Sequence, residues 1–376
     1  MSNLNGGFNG GFNGGFNGGF NGGFNGGFNG GFKTGAGNAN PVALAQALMA
    51  SREGIVDPGS SEIYAAATSE LPPVDGTAAQ FLSWDPVVRK QTLIQALLSV
   101  TAVRCDTAPS ATHPVMLVGL GADGSDRALT SLCRPPLAAF ASGLSGVLAA
   151  ADLRGDRHLE IQAQVDDSWP FWHALLPMRT ERLPHTQLLF DLGVEVSTYL
   201  GMRFKHELNC PRPSAYSPQV QPLLPVPGHA SFPMGHATQA YVVARLLHSL
   251  VAQSHGQSGA LSGAFAALVQ QAYRLAWRIA MNRVVAGLHF EIDLWAGRRL
   301  GLAIADAIVG LAGGAAGLVS LDETLDPCFA TANAYTALLG VEQRGTAALN
   351  PRTPLFKVAY DAALAEWKQE ADHGAA

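Results

Sequence analysis

The residues best equipped for chemistry fall in one stretch of the chain, from Lys205 to Asp293, and form three groups. Lys205 is followed by Arg212-Pro213; Ser231-Phe232-Pro233-Met234-Gly235-His236 comes next; Asn282-Arg283, with His289 and Asp293, closes the set. Three cations, two imidazoles and a carboxylate can hold and transfer a tetrahedral oxyanion. A phosphoryl group in transfer spreads negative charge over three oxygens, so several fixed cations or amide donors must surround one point. Lys205, Arg212 and Arg283 can supply that charge, arginine being the better partner for planar, forked contacts. Gly235 and His236 stand at a helix start, where free N–H groups and the helix dipole favour an anion. His289 and Asp293 are four residues apart, so on one helix the carboxylate reaches the imidazole. That contact fixes the tautomer and frees the other ring nitrogen as a nucleophile. His236 remains as general acid, and Gly287 can break the helix so that Arg283 and His289 both turn inward.

The elements that must position these groups read as helices. Thr186–Phe204 is amphipathic, with Leu189, Leu192, Val196 and Tyr199 on one face, and delivers Lys205 at its end. Pro211 and Pro213 forbid continuation, and the proline-rich Ser214–Gly228 reads as a loop crossing over a site. A helix opens at His236, a second carries Leu261 through Ile279 at helical spacing, and a third begins near His289. Upstream, Gln80–Val103 reads as a helix with Asp85 as N-cap and Pro86 in its first turn. Leu137–Leu153 reads as an apolar helix, and Trp169, Phe171 and Trp172 as core or a packing corner, with a pocket wall as the alternative. Convincing alternating strands are absent, so the fold class is all-α, a helical bundle. Gly119-Leu-Gly121-Ala-Asp-Gly124 matches a dinucleotide fingerprint. No acidic residue follows about 20 positions on to hold a ribose, and the stretch reads as a glycine-rich turn.

Composition bounds the rest. The chain has 376 residues, 48% of them hydrophobic, and a net charge of -5. That size supports a large core, and the charge gives no basic footprint for nucleic acid. Four scattered cysteines without metal spacing, and an N-terminus without a secretory pattern, point to reduced thiols and a cytoplasmic location. Leu300–Leu321 is long and apolar enough to span a bilayer, but Asp306 and its alanine and glycine content favour a buried helix, so no clear membrane span is expected. Asn5–Phe32 repeats Asn-Gly-Gly-Phe seven times, too glycine-rich to repay its ordering entropy. Residues 1–39 are therefore expected to be a disordered tail, either a self-associating phenylalanine sticker or a dispensable expansion. Residues 40–180 are expected to form an N-terminal helical region, and 181–376 a helical bundle carrying the site.

The pattern Lys205-x6-Arg212-Pro213, Pro233-x-Gly235-His236, Arg283-x5-His289-x3-Asp293 resembles the type 2 phosphatidic acid phosphatase and vanadium haloperoxidase superfamily, over about ninety residues. The resemblance implies an all-helical fold with the site inside the bundle. It makes His289 the nucleophile that forms a phosphohistidine, or the ligand of vanadium in a haloperoxidase. Asp293 would orient it, and His236 would serve as acid or base. Lys205, Arg212, Gly235 and Arg283 would hold the oxyanion oxygens. Two positions depart from the family pattern: Met234 stands where a serine is usual, and Asn282 where a serine usually precedes the arginine. His229 reads first as a loop histidine without a ligand role, the alternative being that it lines the entrance or tunes a bound peroxide.

Three functions follow. The first is a metal-independent phosphatase acting on a small-molecule phosphomonoester without a cofactor, favoured by the short gaps between the groups. The second is a vanadate-dependent haloperoxidase using peroxide to oxidise halide in the same cage. The third is a self-associating protein whose tail does the work.

Overall fold

A computed structural model describes residues 78–105, 114–121, 123–176, 182–254, 261, 263–313 and 354–372, with single positions at 46, 49, 335, 339 and 349. The Asn-Gly-Gly-Phe tail, the helix expected from Pro41, the Ser51–Gly76 loop and Cys328 lie outside the described residues or almost entirely so. The chain divides into two compact units, Met1–Gln91 and Thr92–Ala376.

In the first unit, helix α1 (Ala78–Ser83) is followed by the start of α2 (Pro86–Val100). Asp85 caps α2 by accepting from the Val87 amide at 2.8 Å, as its place before Pro86 predicts. The expected single helix over Gln80–Val103 is thus two helices, and its last residues turn into a strand.

The second unit begins within α2, whose Leu93, Leu97 and Val100 are buried. Three antiparallel strands follow in the order β1 (Thr101–Cys105), β2 (Val115–Leu120) and β3 (Asp126–Leu132), with an irregularity at Leu117/Val118. This sheet corrects the expectation that strands are absent from the N-terminal region. Short β-branched runs such as Val115-Met-Leu-Val cannot be told from buried helix by periodicity. The fingerprint-like glycines occupy the β2–β3 hairpin, where Gly124 has φ 77°, a conformation that glycine adopts without penalty.

The remainder is helical: α3 (Leu137–Ala150), α4 (Arg154–Asp166), α5 (Trp169–Leu175), α6 (Pro184–Leu208), α7 (Gly235–Ser254), α8 (Gly263–Val285), α9 (Glu291–Gly313) and α10 (Leu355–Asp372). Helix α7 is buried on nearly every face from Ala237 to Ala252, which marks it as the central helix, packed against α6, α8, α9 and α10. Glycines set the closest approach. A Cβ at Gly297 of α9 would collide with the Met234 carbonyl, and one at Gly301 would lie 2.5 Å from the Thr238 carbonyl. One turn apart on α9, these glycines let the backbones of α7 and α9 nearly touch. Across that junction Arg245 pairs with Asp306 at 2.7 Å. Glu366 of α10 accepts from the His185 and Thr186 amides and the Thr186 hydroxyl, supplying partners to unpaired donors at the start of α6.

The candidate span Leu300–Leu321 is, over its described part, the buried end of α9. Among the described residues one helical stretch is long and apolar enough to cross a membrane, Leu137–Val165, with a mean hydropathy of 1.3 in its most apolar window. Cys105 and Cys133 are half-buried and Cys210 is buried, all three as free thiols.

Candidate active site

Four helix boundaries converge on the site. Helix α6 ends at Asn209, whose left-handed conformation (φ 41°) terminates it and whose amide bonds to the Lys205 carbonyl at 3.0 Å. Lys205, 3% exposed, donates from Nζ to the carbonyls of Ala230 and Ser231 at 2.9 and 2.7 Å. This ties the middle motif to α6 and leaves one ammonium hydrogen for a ligand. Arg212 donates from Nε to the His229 carbonyl at 3.1 Å and from NH1 to the Leu288 carbonyl at 2.9 Å. Its NH1 also lies 3.2 Å from His289 Nε2, and its NH2 lies 3.3 Å from His229 Nδ1. His229, set aside in the sequence as a loop histidine, therefore buttresses Arg212 and stands on the cavity wall.

The last turn of α8 carries Arg283. Gly287, at φ 77°, then reverses the chain, and Leu288 bonds back to the Arg283 carbonyl at 3.1 Å. Ile161, Val285, Ala286 and Leu288 form a small apolar cluster beneath this turn. Arg154 fastens it from outside, donating to the carbonyls of Val285, Val220 and Gln221 at 2.8, 2.9 and 2.9 Å. Phe290 is packed between Phe140 and Tyr216, with ring centroids at 5.2 and 5.5 Å.

His289 lies in the turn, two residues before α9 begins, and not on a shared helix with Asp293 as the spacing suggested. The contact forms nonetheless, because the Asp293 carboxylate folds back over the helix start. Its Oδ2 accepts from the Phe290 amide at 3.0 Å, from His289 Nδ1 at 3.1 Å and from the Ser231 hydroxyl in a short hydrogen bond. Ser231 Oγ also lies 3.1 Å from His289 Nδ1. An ionised carboxylate can only accept, so the Nδ1 proton faces Asp293, and the Nε2 lone pair points to the cavity, where Arg212 NH1 donates to it in the free site. The reading of the sequence assigned Ser231 no role. Its only signal was a serine two residues before Pro233 in a motif otherwise rich in site residues.

Arg283, 1% exposed, is held by one nitrogen only. NH2 donates to the Ile161 carbonyl at 2.9 Å and to Gln164 Oε1 at 3.2 Å. Nε and NH1 are buried without a hydrogen-bond partner among the described residues. Asn282, where the family pattern has serine, bonds to Glu160 and Gln164 of α4 at 2.8 and 3.0 Å and helps to place the helix turn that bears Arg283.

Lys205, Arg212, Gly235, His236, Arg283 and His289 line one cavity of about 180 Å³. A Cβ at Gly235 would meet no protein atom within 4 Å, so this glycine borders space that a side chain would occupy. Met234 is fully buried and does not line the cavity. It contributes its backbone, the amide donating to the Asp293 carbonyl at 2.9 Å, and so couples the middle motif to α9.

The electrostatics suit an anion. Three buried cations face one buried carboxylate. Burial pushes Lys205 down to about 7, Asp293 partly offsetting this, and pushes Arg283 down to about 10. Burial raises Asp293 to about 6 despite the Ser231 and Phe290 hydrogen bonds and the nearby cations. His236 is pushed down to about 3, by burial first and then by Arg283, His289 and Lys205, while a hydrogen bond to the Gln164 carbonyl opposes the shift. His289 is lowered well below its ordinary value by burial and by Lys205 and Arg212. Both imidazoles are neutral in the free protein at pH 7.

A buried cationic cage around a carboxylate-oriented imidazole defines an oxyanion-handling enzyme site, of the kind that transfers phosphoryl groups. The model of the PAP2 superfamily matches residues 187–313, which contain every residue of the cage. The match supports membership of the type 2 phosphatidic acid phosphatase/haloperoxidase superfamily, and the mainly helical fold, with the small sheet added, is consistent with that family's all-α bundle. Members are generally phosphatase-like hydrolases. No curated protein matches the chain.

Proposed function

We propose that the protein is a metal-independent phosphatase that hydrolyses a phosphomonoester through a phosphohistidine. The observation that supports this reading is that Arg283, one of the residues lining the cavity, has two buried nitrogens without a partner among the described residues. A buried unsatisfied donor costs about 1–3 kcal/mol, a cost that binding an oxyanion would remove. In this reading Arg283 Nε and NH1, the spare Lys205 hydrogen and Arg212 hold the three non-bridging oxygens. His289 Nε2 attacks phosphorus as the ester P–O bond breaks, and the electron pair leaves with the alcohol oxygen. His236 delivers the proton to that oxygen. It is neutral in the free site, but the charge of the bound ester offsets the cations that depress it, and a monoanionic ester brings the proton with it. Asp293, braced by Ser231, stabilises the charge that develops on the His289 ring. Water then attacks phosphorus as the P–N bond breaks and its electron pair returns to His289 Nε2, with His236 accepting the water's proton.

The donor set would also fit vanadate, held by the same cations and by His289 Nε2; bound there, vanadate would supply activation of peroxide. The deciding experiment is hydrolysis of a chromogenic phosphomonoester by purified protein in chelator without vanadate, beside His289→Ala. Loss of hydrolysis in the variant, with an acid-labile phosphoryl label trapped on the wild-type protein only, is the expected result. A wild-type protein that hydrolyses nothing, yet brominates with vanadate, peroxide and bromide, would overturn the phosphatase reading.

A further inference from the structure

A second cavity of about 350 Å³ adjoins the cage, and His236 and Gln239 belong to the walls of both. Its other walls are mainly apolar: Val165, Trp169, Trp172, Val194, Val243 and Ile279 contribute. Of the two sequence readings of these tryptophans, core or packing corner and pocket wall, α5 favours the second, since Trp169 and Trp172 line this space. Trp169 is half-buried, stacked on His173 with centroids 6.0 Å apart. Asp167, exposed, is the only charged residue on the wall among the described residues, and its carboxylate accepts from the Trp169 amide at 2.8 Å.

From this arrangement we infer that the Trp169 cavity seats the organic part of the substrate, an alcohol bearing a compact aromatic or apolar group. The inference rests on the phosphatase reading. The alcohol oxygen must lie beside the residue that protonates it, and the group it carries must continue into whatever space lies past that residue. Past His236 that space is the tryptophan-walled cavity. Its volume falls at the small end of small-molecule sites, enough for an aromatic ring and a short linker. Asp167 at the wall disfavours alcohols carrying a carboxylate or a second phosphate.

The test compares alcohols of similar acidity, so that only the seated group differs. Steady-state kcat/KM is measured with the full chain for 2-phenylethyl phosphate and ethyl phosphate, in wild type, Trp169→Ala and Val194→Phe. The wild type is expected to prefer the phenylethyl ester at least tenfold. Trp169→Ala, which removes the aromatic wall, and Val194→Phe, which fills the space from α6, are each expected to cut that ratio at least threefold. A wild-type ratio near one, or a preference that neither variant changes, would overturn the seating while leaving the phosphatase reading intact. Hydrolysis of neither ester would overturn the phosphatase reading and this inference with it.

Discussion

Replacing Arg283 by glutamine tests the cage where its buried donors lack partners. In the wild-type protein Nε and NH1 are buried and unpartnered while NH2 is held by Ile161 and Gln164. Glutamine is too short to reach the ligand position and carries no charge. A hydrogen bond involving a charged partner contributes about 1.5–3 kcal/mol. Two such bonds to an oxyanion, counted at the lower bound to allow for non-additivity, amount to about 3 kcal/mol, or a loss of affinity on the order of 100-fold. The assay is calorimetric titration with orthovanadate and with orthophosphate, at pH 6.5, on protein whose helical circular dichroism matches the wild type. Arg278→Gln is the control, since Arg278 is 41% exposed and pairs with Glu160 outside the cavity; its affinity should stay within about threefold of wild type. Wild-type affinity in Arg283→Gln would refute the claim that the unpartnered nitrogens await an anion, and with it the physical basis of the proposed function.

Other perturbations follow from the same geometry. Asp293 must be ionised to orient His289, so kcat/KM should rise as pH increases through about 6; Lys205 must be protonated to hold the oxyanion, so it should fall as pH increases through about 7. Lys205→Arg, which cannot deprotonate, should move the alkaline limb up by at least about one pH unit, and an unmoved limb in a pH–rate profile would exclude Lys205 as its source. Ser231→Ala removes a donor to the buried Asp293 carboxylate and should lower kcat by roughly tenfold, about 1.4 kcal/mol; rescue by Ser231→Thr would separate the hydroxyl from packing. Gly297→Ala and Gly235→Ala should part company. The first forces the α7 and α9 backbones apart and should cost about 1–3 kcal/mol of stability in denaturant melts. The second, facing open space, should melt like the wild type and bind orthophosphate at least about tenfold more weakly.

The site was legible in the sequence to the extent that its residues needed particular chemistry at helix ends. Lys205 near the end of α6, the proline-locked Arg212, Gly235-His236 at the start of α7 and the Gly287 turn after Arg283 were each readable, because backbone physics restricts what prolines and glycines can do locally. The helical class was readable for the same reason, since long periodic segments announce themselves. Only the tertiary structure decided what those segments face. The β1–β3 sheet escaped because short apolar runs fit strand and buried helix equally. Ser231 and Gln164 escaped, and His229 was readable either way, because a polar side chain becomes functional through neighbours from other elements, here Asp293, Arg283 and Arg212, far along the chain. The His289–Asp293 contact was expected from helical spacing but arises from a carboxylate folded over a helix start. Which of three cations would be left with unpaired nitrogens, and that a tryptophan-walled space would open beside His236, depends on how α4, α5, α7 and α8 pack. That packing is a property of surfaces meeting in space, and no local pattern in the sequence encodes it.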